Sequence, residues 1–283
     1  MLKRILTAAI GLAIFVPVLV FSDTVVGRYI FIGLFFILAM MALFELSKCI
    51  GLSKKFWVTI PVFVFSAAAV LAVVLFNGEE WVQKYAVSAV AVFVFVILAI
   101  SMLSRGVIRV AQTSELLTFA FYICLGFTSI ILLRDSEDTF GKYVYLLVFI
   151  GAWMTDTGAY FVGKFLGKHK LIPTVSPNKT VEGAIGGIVV CALSFALFGF
   201  IISKACSLNV NWLVLIIAGV ASSVLSQFGD LIMSFVKREH GIKDFSTLLP
   251  GHGGILDRFD SSIPVAVFLY VLSVVFKVMI FYV

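Results

Sequence analysis

Charge is scarce in this chain: only 13% of its 283 residues are Asp, Glu, Lys or Arg, whereas a soluble globular domain carries about a quarter. With 62% hydrophobic residues and a mean hydropathy of +1.16, this poverty excludes an ordinary water-soluble fold and points to a membrane. Cysteine is equally uninformative as a scaffold element. Cys49, Cys124, Cys191 and Cys206 are scattered without CxxC or Cys/His spacing, which argues against a zinc site or a disulfide framework. The three histidines, His169, His240 and His252, form no ligand pair. Short segments of alternating polarity are missing too, which disfavours a β-barrel. No internal repeat relates the two halves, so the inverted-repeat pattern of many secondary transporters is not supported.

What the chain does have is long apolar runs. Crossing ~30 Å of hydrocarbon takes about 20 apolar residues as helix, and nine runs qualify: 5–22, 27–47, 57–77, 85–104, 115–134, 143–163, 181–203, 209–236 and 262–283. They are apolar on all sides, so the expected fold class is an all-α, polytopic integral membrane helical bundle of about nine transmembrane helices. The first run follows Lys3 and Arg4 as a signal peptide would, but it is long and lacks a small-x-small cleavage site, so it is read as a retained helix. Nine crossings alternate the loops between two faces. Fifteen of the 21 basic residues, among them Lys48, Arg105, Lys164, Lys179, Lys237 and Arg258, fall on the face that holds the N-terminus. The positive-inside bias makes that face, and the N-terminus, cytoplasmic. The net charge of +6 is then topological and calls for no nucleic-acid partner.

Information is uneven along the chain. Residues 1–142 carry almost no intramembrane polarity beyond Glu45 and read as transmembrane scaffold; residues 143–283 hold Asp156 and Asp230 within spans and two polar loops, 164–180 and 237–261. That second region is the expected catalytic region. Asp156 precedes Lys164 by eight residues and Asp230 precedes Lys237 by seven, which puts both carboxylates roughly 10–12 Å from the same membrane face. An ionised carboxylate at such depth costs about 3 kcal/mol unless it faces protein, water or a cation. Ser226 and Ser234 lie four residues either side of Asp230 and present hydroxyls on its face. Asp257 and Asp260, at helical spacing, open the last run. Asp257 could merely cap that helix, but hard oxygen donors without a histidine pair also suit Mg²⁺.

The loop Pro250-Gly251-His252-Gly253-Gly254 offers backbone N–H groups ahead of a helix start, a possible phosphate cradle as well as a plain glycine turn. Lys237, Arg238, Lys243 and Arg258 supply positive charge for a polyanion. In the earlier loop, positive-inside bias explains the lysines in general, while Ser176-Pro177-Asn178-Lys179-Thr180 places Thr180 as a helix cap and Lys179 as a projecting cation. Gly183 and Gly187 form a GxxxG step suited to close helix packing.

The order Ser-x-x-Lys-Arg from Ser234, then Lys243-Asp244, then Pro-Gly-His-Gly-Gly-Ile-Leu-Asp-Arg-Phe-Asp to Asp260 resembles the bacterial phosphatidate cytidylyltransferase (CDP-diacylglycerol synthase) family. The strings at Asp156, Ser176–Gly183 and Ser226–Asp230 extend the likeness through the C-terminal half; the N-terminal half is similar only as apolar spans. The resemblance implies transfer of the cytidylyl group of CTP to phosphatidic acid, releasing CDP-diacylglycerol and pyrophosphate, with Mg²⁺ required and a second cation such as K⁺ compatible with the acidic count. It implies metal ligation by Asp230, Asp257 and Asp260, phosphate neutralisation by Lys237, Arg238, Lys243 and Arg258, and substrate contacts from Asp156, Ser176, Lys179, Ser226, Ser234, Asp244, His252, Gly253 and Gly254. A homodimer in the bacterial inner membrane, with the active site facing the cytoplasm, is also compatible. Rival readings are another CTP-dependent lipid enzyme, such as a polyprenol kinase or an ether-lipid cytidylyltransferase, and an ion-coupled transporter. The Asp-Gly-x-x-Ala-Arg pattern of phosphotransferases that consume CDP-lipids is absent.

Overall fold

The computed structural model describes residues 2–136, 141–251 and 253–282. Long apolar helices dominate it, separated by short turns: α1 Leu2–Val20, α2 Val25–Cys49, α3 Phe56–Leu75, α4 Glu80–Leu103, α5 Val110–Asp135, α6 Gly141–Leu166, α7 Val181–Cys206 and α8 Trp212–Glu239. The short helices α9 Leu256–Phe259 and α10 Ser262–Tyr270 follow. Two small antiparallel ladders complete the inventory. Strand β1 Lys170–Ile172 pairs with β2 Ser176–Thr180, and β3 Asn209–Val210 pairs with β4 Phe281–Tyr282. Side chains such as Trp57, Val87 and Phe95, 80%, 79% and 72% exposed, would be costly in water and are at home against lipid acyl chains. The chain is an integral membrane protein of the all-α class.

Seven helices among the described residues are long and apolar enough to cross a membrane, from Val25–Cys49 through Trp212–Glu239. The count of nine is not confirmed: among the described residues, the first and last expected spans correspond to the shorter apolar stretches Ala13–Asp23 and Ser262–Val275. The last departs for a visible reason. Helix α10 passes into a single π-helical segment, Val271–Val275, and Lys277 adopts a left-handed backbone with φ of 52°. A helix from 262 to 275 reaches roughly 21 Å, short of the hydrocarbon thickness. Beyond it the chain returns as β4 to pair with β3, with the Asn211 N–H donating to Ile280 O at 3.0 Å.

The chain divides into two compact units, residues 1–128 with 244–258, and residues 129–243 with 259–283. In the first, Thr24 caps α2 by accepting the Gly27 N–H at 3.0 Å. The α2 ring of Phe35 meets Phe31 and Phe127 at centroid separations of 4.5 and 6.4 Å, while Phe65 of α3 stacks on Phe93 of α4 at 3.8 Å. In the second, α6 and α7 approach so closely that glycines are needed along their seam. A Cβ on Gly183 would lie 2.8 Å from Ala159 O, and one on Gly187 would lie 2.9 Å from Thr155 O. The GxxxG step therefore packs helices, as its spacing suggests.

Candidate active site

In the second unit, the β1–β2 hairpin delivers a cation to a half-buried acid. The hairpin is pinned at its base by Glu182, which accepts the backbone N–H groups of Lys168 at 3.0 Å and His169 at 3.2 Å and pairs with His169 Nδ1 at 2.6 Å. Thr180 ends β2 and caps α7, its hydroxyl accepting the Gly183 N–H at 3.1 Å. With both ends held, Lys179 projects so that its Nζ lies 2.6 Å from Asp230 Oδ2 on α8. A cavity of about 480 Å³ surrounds this pair, lined also by Asp156 and Tyr160 of α6, Asn178 of β2 and Gln227 of α8. The depth argument made from Asp156 and Asp230 thus leads to one chamber, and Lys179 joins it. Ser176 begins the same strand, opposite Ile172.

The α8 face around Asp230 is built for oxygen chemistry. Ser234 donates its hydroxyl to Asp230 Oδ1 at 3.1 Å, and one turn earlier the Ser226 hydroxyl is buried without a hydrogen-bond partner. Gly229 lets the chain after α9 come close, since a Cβ there would lie 2.5 Å from the Asp260 carbonyl oxygen. Asp260 is itself buried, 7% exposed, and its Oδ1 accepts the Ser261 N–H at 2.7 Å and the Ser261 hydroxyl at 3.3 Å. Burial first, and then the negative charge of Asp230, push the Asp260 carboxyl up to about 7; Lys237, also buried, pulls in the opposite direction. The charge of Asp156 adds to that upward push, so the three carboxylates act on one region. Among the described residues no group of three or more His, Cys, Asp or Glu side chains is arranged to hold a metal ion.

Asp257 belongs to the first unit, where it organises a loop. Its Oδ2 accepts the N–H groups of Phe245 and Gly254, both at 2.8 Å. Glu45 of α2 takes the next donors: Ser246 Oγ at 2.6 Å, Ile255 N–H at 3.0 Å and Leu256 N–H at 2.8 Å. The Leu249 N–H donates to Gly253 O at 2.9 Å, and Gly251 and Gly253 turn through left-handed φ of 79° and 81°. The expectation of bare N–H groups in this loop needs correction, because those of Gly254, Ile255 and Leu256 point to carboxylates of the protein. His252 lies outside the described residues. Arg238, Lys243, Asp244 and Arg258 are exposed, and Arg238 donates to Ile242 O at 3.1 Å.

Sequence reasoning passed over several of these groups. Gln227, which donates to Ala184 O at 3.2 Å, shares the Ser-Gln-Phe-Gly-Asp string with Asp230. Its position three residues before that acid places it on the neighbouring face. Glu182 was visible as the acid following a threonine cap. Glu45 had a clear mark, as the lone acid of a 25-residue apolar helix, yet local pattern could not say what it meets.

Comparisons with known proteins identify the family. Residues 2–276 match the model of the cytidylyltransferase family. The chain is 34% identical over 259 residues to the phosphatidate cytidylyltransferase of Staphylococcus haemolyticus (strain JCSC1435), covering 91% of this chain and 93% of that protein. It is 35% identical over 258 residues to that of Staphylococcus epidermidis (strain ATCC 12228 / FDA PCI 1200), with the same coverage. Over 260 residues it is 35% identical to that of Staphylococcus aureus (strain COL), again covering 91% and 93% of the two chains. With a family match spanning both units and relatives covered almost end to end, the chain belongs to the cytidylyltransferase family.

Proposed function

We propose that the protein transfers the cytidylyl group of CTP to phosphatidic acid, forming CDP-diacylglycerol and pyrophosphate, in a bacterial cytoplasmic membrane with its nucleotide site facing the cytoplasm. The observation that carries the reading is the second unit's cavity, in which Lys179 and Asp230 meet beside Asp156, in a chain whose relatives bear that activity in their names.

The lipid phosphate oxygen attacks the α-phosphorus of CTP, the bond from that phosphorus to the bridging oxygen breaks, and pyrophosphate leaves. A phosphate monoester is already largely dianionic near neutral pH, so the attack needs no side-chain base. This is consistent with a cavity whose lining, among the described residues, holds two carboxylates, two amides and two lysines and no histidine. The task of the chain is positioning and charge. Lys179 and Lys237 offset phosphate charge, Gln227 and Asn178 offer amides to the nucleotide, and Asp230 orients Lys179.

The donor chemistry present, two carboxylates and a hydroxyl, suits a hard divalent cation. Asp230 and Asp260 are hard oxygen donors under mutual repulsion, Ser226 adds an unpartnered buried hydroxyl oxygen, and Asp230 already pairs with one positive charge, the Lys179 ammonium. Asp230, Asp260 and Ser226 would hold the ion. Mg²⁺, when bound, supplies charge neutralisation at the α-phosphate and at the departing pyrophosphate.

Purified protein given CTP, phosphatidic acid and Mg²⁺ is expected to yield CDP-diacylglycerol and pyrophosphate in equal amounts. Release of CDP with a phosphorylated lipid would replace this reading with a lipid kinase. Ion-coupled solute flux without CTP turnover would replace it with a transporter.

A further inference from the structure

Among the described residues of the half that reads as inert scaffold, the acid Glu45 is buried, and it grips the motif loop. Glu45 is 3% exposed, close to the C-terminal end of α2, four residues before Cys49. Its carboxylate accepts three donors, Ser246 Oγ, Ile255 N–H and Leu256 N–H, separated from it by 201, 210 and 211 residues. Asp257 closes the same loop from inside through Phe245 and Gly254. Two carboxylates thus take up five donors of one segment, and Gly254 has no room for a side chain because a Cβ there would collide with the Glu45 carboxylate.

Burying a carboxylate in an apolar helix is expensive. The stability of α2 does not require one, since a leucine there would pack without that penalty. What the acid provides is geometry. It fixes Ile255 and Leu256 through their backbones, and Asp257, Arg258 and Asp260 follow within the next five residues of chain. We infer that Glu45 is a positioning residue for the reaction: it sets the backbone of the 245–257 loop, and through the continuous chain the run from Asp257 to Asp260 that follows it. The inference rests on the function proposed above, but its structural half can be read without turnover.

The test compares Glu45→Gln, Glu45→Asp and Ser246→Ala with the wild type by amide hydrogen exchange in detergent and by steady-state kinetics with CTP and phosphatidic acid. Glutamine keeps the volume but turns one acceptor into a donor facing donors. Losing hydrogen bonds to a charged group corresponds to about 10–100-fold, so exchange at Ile255 and Leu256 is expected to quicken by that factor while amides of α3 and α4 stay unchanged. The turnover number is expected to fall by a similar factor with KM for CTP within about three-fold, the mark of misplaced reacting groups rather than lost substrate binding. Ser246→Ala removes one donor and leaves the carboxylate in place, so its effects are expected to be smaller in both readouts, and Glu45→Asp to be intermediate. Unchanged exchange at residues 254–256 in Glu45→Gln overturns the inference, as does altered exchange with full turnover. If Glu45→Gln fails to fold, the ranking of Ser246→Ala and Glu45→Asp decides: wild-type turnover in both refutes the positioning role. A wild-type protein that makes no CDP-lipid refutes the proposed reaction, and exchange then still reports whether Glu45 holds the loop.

Discussion

Replacing Lys179 with methionine isolates the ion pair on which the proposed site depends. The side chain keeps its length and loses its charge, leaving Asp230 Oδ2 without the ammonium that now lies 2.6 Å away. At an effective dielectric of about 20, two unit charges about 4 Å apart attract by roughly 4 kcal/mol. Both side chains are partly open to solvent, 26% and 27% exposed, and each has given up hydration to form the pair, so the net value falls to about 1.5–3 kcal/mol. If Lys179 spends that interaction on phosphate charge in the transition state, kcat/KM falls by about 10–100-fold, at 1.36 kcal/mol per decade. The assay is CDP-diacylglycerol formation in mixed micelles with varied CTP. A double-mutant cycle with Asp230→Asn sharpens the result. Because the two groups touch, the double variant should lose distinctly less than the product of the two single losses. A Lys179→Met enzyme within about two-fold of wild type, or strict multiplicativity with Asp230→Asn, would refute the coupling.

Other consequences follow from the same geometry. Gly187→Ala places a methyl 2.9 Å from Thr155 O, and since a backbone carbonyl in a packed helix yields little, about 1–3 kcal/mol of stability should be lost, visible as a lower thermal midpoint in detergent. Thr180→Ala removes the cap of α7 and should cost about 1 kcal/mol; Thr180→Ser should restore most of it in the same measurement. Glu182→Gln should loosen the hairpin base, so that the Lys168 and His169 amides exchange faster and KM for CTP rises as Lys179 loses its fixed approach.

Local pattern carried the reading of the membrane class and of the chamber because both depend on one-dimensional properties. Hydropathy marked the spans, and helical rise brought Asp156 and Asp230 to one depth. A threonine before an apolar run announced the cap that aims Lys179. Three matters were not legible in this way. The last span ends early, since the bend after Tyr270 and the pairing of Phe281 with Val210 are tertiary events with no hydropathy signal. The glycine loop looks like a phosphate cradle until one sees that Asp257 accepts the Gly254 N–H, and that Glu45, far away in sequence, accepts those of Ile255 and Leu256. Asp257 and Asp260, three residues apart, suggest one shared face of a helix, yet helix α9 ends at Phe259. Asp257 turns to the loop, while Asp260 is held against Ser261 and Gly229.

The most direct test of the central claim is the fate of phosphorus from CTP labelled at its α-position, followed in wild type and in Asp230→Asn. The account predicts that label enters the lipid fraction as CDP-diacylglycerol in the wild-type protein, with unlabelled pyrophosphate released in equal amount, and that Asp230→Asn abolishes this transfer while remaining folded. Label that stays in water-soluble nucleotide while the lipid gains phosphate, or full transfer by Asp230→Asn, would contradict it.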